Sequence, residues 1–303
     1  MRIALIADDL TGANNAGVGL VKRGFAVATT LRGVTPLPEG YDALCIDTGS
    51  RYVAADEARR RVTETARAAR AHGAALVCKR IDTLLRGNLG AELDGGLAAL
   101  GSDALAVVAP AFPDSGRVVD DGHLLVDGAP VDQHPVAAGD RLAPVRHSYV
   151  PHLLAEQSAE RTVRIDRATV QGGAAAVAAA LEGAARGGVR VAVVDAASNE
   201  EVQTIARALV SLERAVMPVD PGALSAAYAE ACFTPAAHSA RRVGRPRGRK
   251  VLAAVASTTA LTRRQLDRLA RDFALEPVRL EAQALIDVPA SGEDVVDRAV
   301  ATG

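Results

Sequence analysis

Residues 2–23 read RIALIADDLTGANNAGVGLVKR, and the fold turns on how that stretch is read. An apolar run, 3–7, stops at Asp8 and Asp9. A small-residue segment of helical period then runs over 13–23, and a second apolar run follows at 25–31. Strand, polar turn, helix and strand make the repeating unit of a parallel sheet, because parallel neighbours need a crossover and a helix is the usual one. The rhythm continues outward. It predicts strands at Ala43–Asp47, 75–78, 104–109, Thr162–Ile165 and 189–194, and helices at 54–71, Leu89–Leu100, Val150–Gln157, 174–185 and 200–213.

The expected class is α/β, an N-terminal domain with a mainly parallel sheet flanked by helices, plus the start of a second α/β domain. Over 116–148 the period fades into Gly, Pro, Asp and His, which predicts a long loop with one hairpin. The clearest boundary is RRVGRPRGRK at 241–250, read as a solvated linker between a domain at 1–240 and a partial one at 251–303. Past it, a strand at 251–255, a helix at 261–271, a strand near 277–280 and a helix from 293 are expected.

Composition excludes several classes. With 303 residues and 49% hydrophobic content the chain buries a sizeable core. A formal net charge of -1 provides no global field for nucleic acid or anionic lipid. No Trp and only four Phe and four Tyr make a base-stacking platform improbable. The run at 3–7 is far short of a signal-peptide core, and no run approaches the ~20 apolar residues of a membrane span. A cytoplasmic protein with a small-molecule partner is expected. Cys45, Cys78 and Cys232 lack metal-like spacing and read as buried thiols, and His123, His134 and His147 are too scattered in sequence to suggest a metal.

In a parallel sheet ligands bind at the carboxyl ends of strands, so the polar residues after each apolar run are the candidates. They are Asp8, Asp9 and Thr11; Asp47, Ser50 and Arg51; Lys79, Asp82, Arg86, Gly87 and Asn88; and Asp114, Gly116 and Arg117. Carboxylates accept from hydroxyls and arginine grips a carboxylate with two prongs, which is the inventory a polyhydroxy acid requires. Blander roles compete: Asp9 or Thr11 as a helix cap, Asp47 as a strand terminator, Lys79 with Asp82 as a surface ion pair. Neither phosphate-loop template holds. Gly12 and Gly17 have the Walker spacing, but Val18 stands where lysine belongs, and Gly17 with Gly19 lacks a third glycine.

At these motifs the chain resembles the four-carbon acid-sugar kinase family. ADDLTGA at 7–13 matches its opening signature, 79–88 is similar to K-x-x-D-S-T-L-R-G-N, and 111–117 matches A-F-P-x-x-G-R. Weaker echoes lie at 47–51, 153–157 and 194–195. The resemblance implies ATP with Mg as cofactor, a sugar acid (threonate, erythronate or 3-oxo-tetronate) as substrate, and substrate contacts from Asp8, Asp9, Asp82, Arg86 and Arg117. Asp8, Asp9 and Asp82 are the candidates for the proton-accepting base.

The pattern departs from the family at Leu84, where a hydroxyl is replaced, and at 255–258, where a glycine and serine turn is expected. The glycine-rich segment that receives ATP phosphates in the family has no counterpart before Gly303. Three readings follow. One is a kinase, as a homodimer or completed by a second chain supplying the nucleotide half; the alternative is a non-catalytic sugar-acid-binding or regulatory module. An unrelated isomerase or aldolase on a similar sheet is the third reading.

Overall fold

The computed structural model describes residues 1–31, 37–236, 253, 255, 257 and 260–278. Its centre is an eight-stranded sheet built from β1 (Ile3–Ala7), β2 (Val27–Thr30), β3 (Ala43–Asp47), β4 (Leu76–Arg80) and β5 (Leu105–Val108), and from three later strands, β9 (Thr162–Ile165), β10 (Val191–Val194) and β11 (Val216–Asp220). The order is β2-β3-β1-β4-β11-β5-β10-β9 and every pairing is parallel. The α/β class read from the sequence is the one observed.

β1 is apolar at all five positions because both faces are covered. Ile3, Leu5 and Ala7 pack with Ala13, Ala16 and Leu20 of α1 (Leu10–Val21) and with Ala226 and Ala229, whereas Ala4 and Ile6 face Val62, Ala66 and Ala69 of α2 (Ala55–Ala71). Helix α2 is strongly charged, yet it buries Ala58, Val62, Ala66 and Ala69, a stripe at helical spacing. Helix α3 (Leu89–Leu100) packs beside it.

Between β5 and β9 lies a small antiparallel sheet, β6 (Arg117–Asp120), β7 (His123–Val126) and β8 (Ala129–Pro130), followed by α4 (Pro135–Ala138) and α5 (Val150–Gln157). The expected loop with one hairpin is thus a three-stranded sheet. It is stitched to the chain just past the end of β10 by the antiparallel bridge between Val119 and Ala196. Then come α6 (Arg167–Gln171), α7 (Ala174–Arg186), α8 (Asn199–Val210) and α9 (Ala223–Cys232).

Strand β11 and helix α9 are not foreseen from the sequence, and β11 enters the middle of the sheet. Its central Pro218 has no N–H, so a central-strand reading is disfavoured. The sheet accommodates it by pairing β11 along β5 from Val216 to Val219 while it meets β4 only at Val219 and Asp220. Cys45 and Cys78 are buried as expected, but Cys232, the last residue of α9, is exposed.

Contacts divide the chain into two units, Met1–Arg241 and Arg242–Gly303. The basic run 241–250, the strand expected at 251–255 and the helix expected from 293 lie largely or wholly outside the described residues. In the second unit the described element is α10 (Ala260–Phe273), close to the expected 261–271. Among the described residues no helix is long and apolar enough to cross a membrane.

Candidate functional site

From β1 the chain runs to the far side of β3, returns to β3, and then crosses to β4 on the other side of β1. The strand order therefore reverses at β1, and a crevice opens there beyond the carboxyl ends of the strands. The last register row reads Asp47, Ala7, Arg80 and Asp220 across β3, β1, β4 and β11. The next residues of the chain project past it.

Asp8 is buried, and Arg51 holds both its oxygens, Nε donating to Oδ2 at 2.6 Å and Nη2 to Oδ1 at 3.1 Å. Burial alone pushes the Asp8 carboxyl up, but Lys79, Arg51 and Arg80 together outweigh it and keep the group below its ordinary value. Arg51 also meets Asp9 at 2.9 Å and Asp82 at 3.5 Å, so one guanidinium ties three carboxylates together. Asp9 caps α1, accepting from the Gly12 N–H at 2.7 Å, and it keeps 29% of its side chain exposed. Asp82 accepts from Arg86 Nε at 2.7 Å and Nη2 at 3.1 Å, and from the backbone N–H groups of Leu84 and Arg86. That tight turn forces Leu85 to φ 61°, a left-handed conformation uncommon for leucine.

A second layer lies beneath. Lys79, 1% exposed, meets Glu92 of α3 at 2.8 Å rather than Asp82, so the surface ion pair entertained above is replaced by a buried one. Ser50 is also fully buried; its hydroxyl bonds to Glu92 and lies 2.6 Å from that of Thr48. Burial pushes the Glu92 carboxyl up in spite of Lys79. Asn88 donates to the carbonyls of Ser50 and Val53, each at 2.9 Å, pinning the β3 loop to the start of α3. Gly87 has φ 98°, and a Cβ there would sit 3.1 Å from Arg51 Cγ, so glycine keeps Arg51 in place.

The structure therefore gathers Asp8, Asp9, Arg51, Asp82, Arg86, Gly87 and Asn88, with Ser50 and Lys79 under them. Thr11 is exposed in the first turn of α1. Asp114, Gly116 and Arg117 form a separate group: Asp114 accepts from Asn199 at 2.6 Å, Gly116 lies against Asp127, and Arg117 donates to the Ser115 carbonyl. The inserted strand explains the separation. With β11 between β4 and β5, the β5 end stands two strand spacings, roughly 10 Å, from the β4 end.

Two contributors escape a sequence reading. Arg80 falls two residues past the strand expected at 75–78 and is not among the candidates, yet its guanidinium reaches Asp8 at 3.3 Å and Asp9 at 3.4 Å, and its buried Nε has no hydrogen-bond partner among the described residues. Glu92 falls inside the helix expected over Leu89–Leu100 and is not among the candidates either. A weak signal existed for Arg80, since it directly follows Lys79 at the strand end.

Beside the cluster opens a cavity of about 360 Å³, walled by Arg51, Gly87 and Asn88 on one side and by Pro144, His147 and Gln157 on the other. Its volume falls in the usual range for small-molecule sites. Asp140, in the loop that closes this side, accepts from Tyr52 at 2.9 Å and lies 3.4 Å from Arg86 Nη1. The arrangement offers partly engaged cations, Arg80 and Arg86, beside carboxylates that accept from hydroxyls. Three carboxylates (Asp8, Asp9, Asp82) face three guanidiniums (Arg51, Arg80, Arg86), so the ring itself is charge-balanced.

Comparison with known proteins places the chain in a family. The model of the sugar-binding N-terminal domain matches residues 3–228. A D-erythronate kinase of Heliobacterium modesticaldum is 41% identical over 97% of this chain and 66% of its own length. A 3-oxo-tetronate kinase of Methylobacterium radiotolerans is 34% identical over 99% of this chain and 71% of its own. Among solved structures, a domain of unknown function from Bordetella bronchiseptica, a domain-swapped dimer with bound citrate, is 35% identical with a TM-score of 0.66, covering 76% of this chain and 55% of that one. The chain thus spans roughly half to seven-tenths of the length of these relatives. By its sequence over 3–228, the chain belongs to the family of the sugar-binding N-terminal domain.

Proposed function

We propose that the chain carries the sugar-acid half of an ATP-dependent kinase that phosphorylates a four-carbon sugar acid of the threonate, erythronate or 3-oxo-tetronate kind. The observation that carries the reading is the Asp8, Asp9, Asp82, Arg80 and Arg86 ring at the reversal of strand order, in a chain 41% identical to a D-erythronate kinase. Arg51 spends its donors on Asp8, Asp9 and Asp82, so the grip on a substrate carboxylate falls to Arg86 and Arg80. Asp8, with both oxygens on Arg51 and its carboxyl held low, is a poor proton acceptor. Asp9 is the more exposed acid, and in this reading it draws the proton from the attacking hydroxyl while Asp82 orients a second one.

The described residues do not compose a site for ATP or Mg: the oxygens of Asp8 and Asp82 are turned to arginine, and the glycines of α1 lie inside a helix. The division into a sugar-acid domain at 1–240, a linker at 241–250 and a nucleotide part at 251–303 belongs to the same proposal, as do a cytoplasmic location and a homodimer or second chain, which light scattering would weigh.

The test is a coupled assay with threonate, erythronate or 3-oxo-tetronate, ATP and Mg, run beside calorimetry of each sugar acid. Turnover, or binding of one sugar acid, supports the reading; Asp9→Asn then lowers turnover and leaves binding in place. No heat of binding for any of the three acids defeats it.

A further inference from the structure

Two histidines and a glutamate meet at the outer edge of the cavity, away from the ring of aspartates. His152 and Glu156 stand one turn apart on α5, and His147 comes from the loop just before it. Glu156 Oε1 lies 3.2 Å from His152 Nε2 and 3.4 Å from His147 Nε2, and one donor atom from each residue fits within 4.8 Å. The two imidazole rings are 4.4 Å apart, tilted by 35°. In sequence His147 seemed isolated; the fold supplies its companions.

We propose that His147, His152 and Glu156 bind a divalent ion of the zinc class, with one position left for water or for an anionic oxygen of a molecule in the cavity. Zinc takes imidazole nitrogen and carboxylate oxygen at about 2.0 to 2.2 Å, so two ligand atoms of a tetrahedral site stand roughly 3.3 Å apart. The two separations from Glu156 already have that value. Imidazole favours Zn²⁺, Co²⁺ or Ni²⁺ over Mg²⁺, which prefers oxygen and keeps its waters. Glu156 is the last residue but one of α5, where the helix dipole disfavours a carboxylate and favours a cation. Both His147 and Glu156 line the cavity, so an ion held by them faces its interior. Three protein ligands and an open fourth position are the pattern of zinc sites that engage a ligand rather than only staple a fold.

The full untagged chain is titrated with Zn²⁺ against a chromophoric chelator, and Co²⁺ is used as a spectroscopic probe. The expected result is one equivalent of Zn²⁺, unaffected by excess Mg²⁺, and tetrahedral Co²⁺ bands without a thiolate charge-transfer band, which excludes the exposed Cys232. His147→Ala, His152→Ala and Glu156→Ala should each weaken uptake by about tenfold or more. All three side chains are at least 41% exposed, so folding should survive and circular dichroism should not change. The overturning results are no Zn²⁺ uptake, uptake unchanged in the two histidine variants, or a thiolate band in the wild-type Co²⁺ spectrum. Any of these leaves the triad as a hydrogen-bonded surface cluster.

Discussion

At the scale of single residues, Arg86 and Arg51 look alike in sequence but carry different loads. Arg86 is 18% exposed and keeps a donor that reaches only the distant Asp140, so Arg86→Ala should weaken sugar-acid binding by about 1.5 to 3 kcal/mol in calorimetry, the scale of a hydrogen bond to a charged group. Unchanged affinity would remove it from the site. Arg51→Ala instead removes both short hydrogen bonds to the buried Asp8, leaving it only the longer 3.3 Å contact with Arg80, and should cost roughly 3 to 5 kcal/mol of stability in urea unfolding. An Arg51→Ala protein as stable as wild type would show that the buried pair is not needed. Much of this cluster was legible, because Asp8, Asp82 and Arg86 directly follow short apolar runs. Arg80 and Glu92 were not legible: what makes them matter is burial, 4% and 2% exposure, and burial is decided by elements distant in sequence.

At the scale of elements, α3 tests how closely the layers meet. A Cβ on Gly95 would lie 2.5 Å from the Arg59 carbonyl of α2, whereas one on Gly96 would meet the flexible tip of Met217, also at 2.5 Å. Alanine gains roughly 1 kcal/mol of helix propensity at either position. Backbone cannot yield as a thioether can, so Gly95→Ala should destabilise by about 1 to 3 kcal/mol while Gly96→Ala stays near neutral, read from urea midpoints. Equal midpoints for the two variants would contradict this packing. Most strands and helices of the first unit followed from apolar runs and helical period, with ends shifted by a few residues. Strand β11 did not, since Pro218 argues locally against a strand and only the distant β4 and β5 reward it. Missing β11 also hid the gap that sets Arg117 apart from Arg86.

At the scale of the whole molecule, Asp195 couples the small antiparallel sheet to the main one. It accepts from the Gly122 N–H at 3.1 Å and lies 3.5 Å from Arg164. Burial, helped by Asp120 and Asp121, pushes its carboxyl up to about 6 from an ordinary 3.8, against the pull of Gly122 and Arg164. Between those values the folded state binds the proton that the unfolded state has released. This group's contribution is therefore full below about pH 4 and is lost as pH rises through 6. Asp195→Asn should gain on wild type by roughly 2 kcal/mol between pH 4 and pH 7 in thermal or urea unfolding, and a pH-independent difference would contradict the coupling. The α/β architecture was legible throughout the first unit because a both-sides-buried sheet writes itself as apolar runs. In the second unit the helix expected at 261–271 is observed as α10, and the other elements expected there lie partly or wholly outside the described residues. Substrate binding is expected in one crevice where β1, β3 and β4 end, and a crystal structure of the full chain with D-erythronate tests this most directly. The predicted result is the carboxylate on Arg86 and a hydroxyl on Asp9 or Asp82, next to Gly87 and Asn88; a ligand held at Arg117 and Asp114, with the aspartate ring untouched, would contradict it.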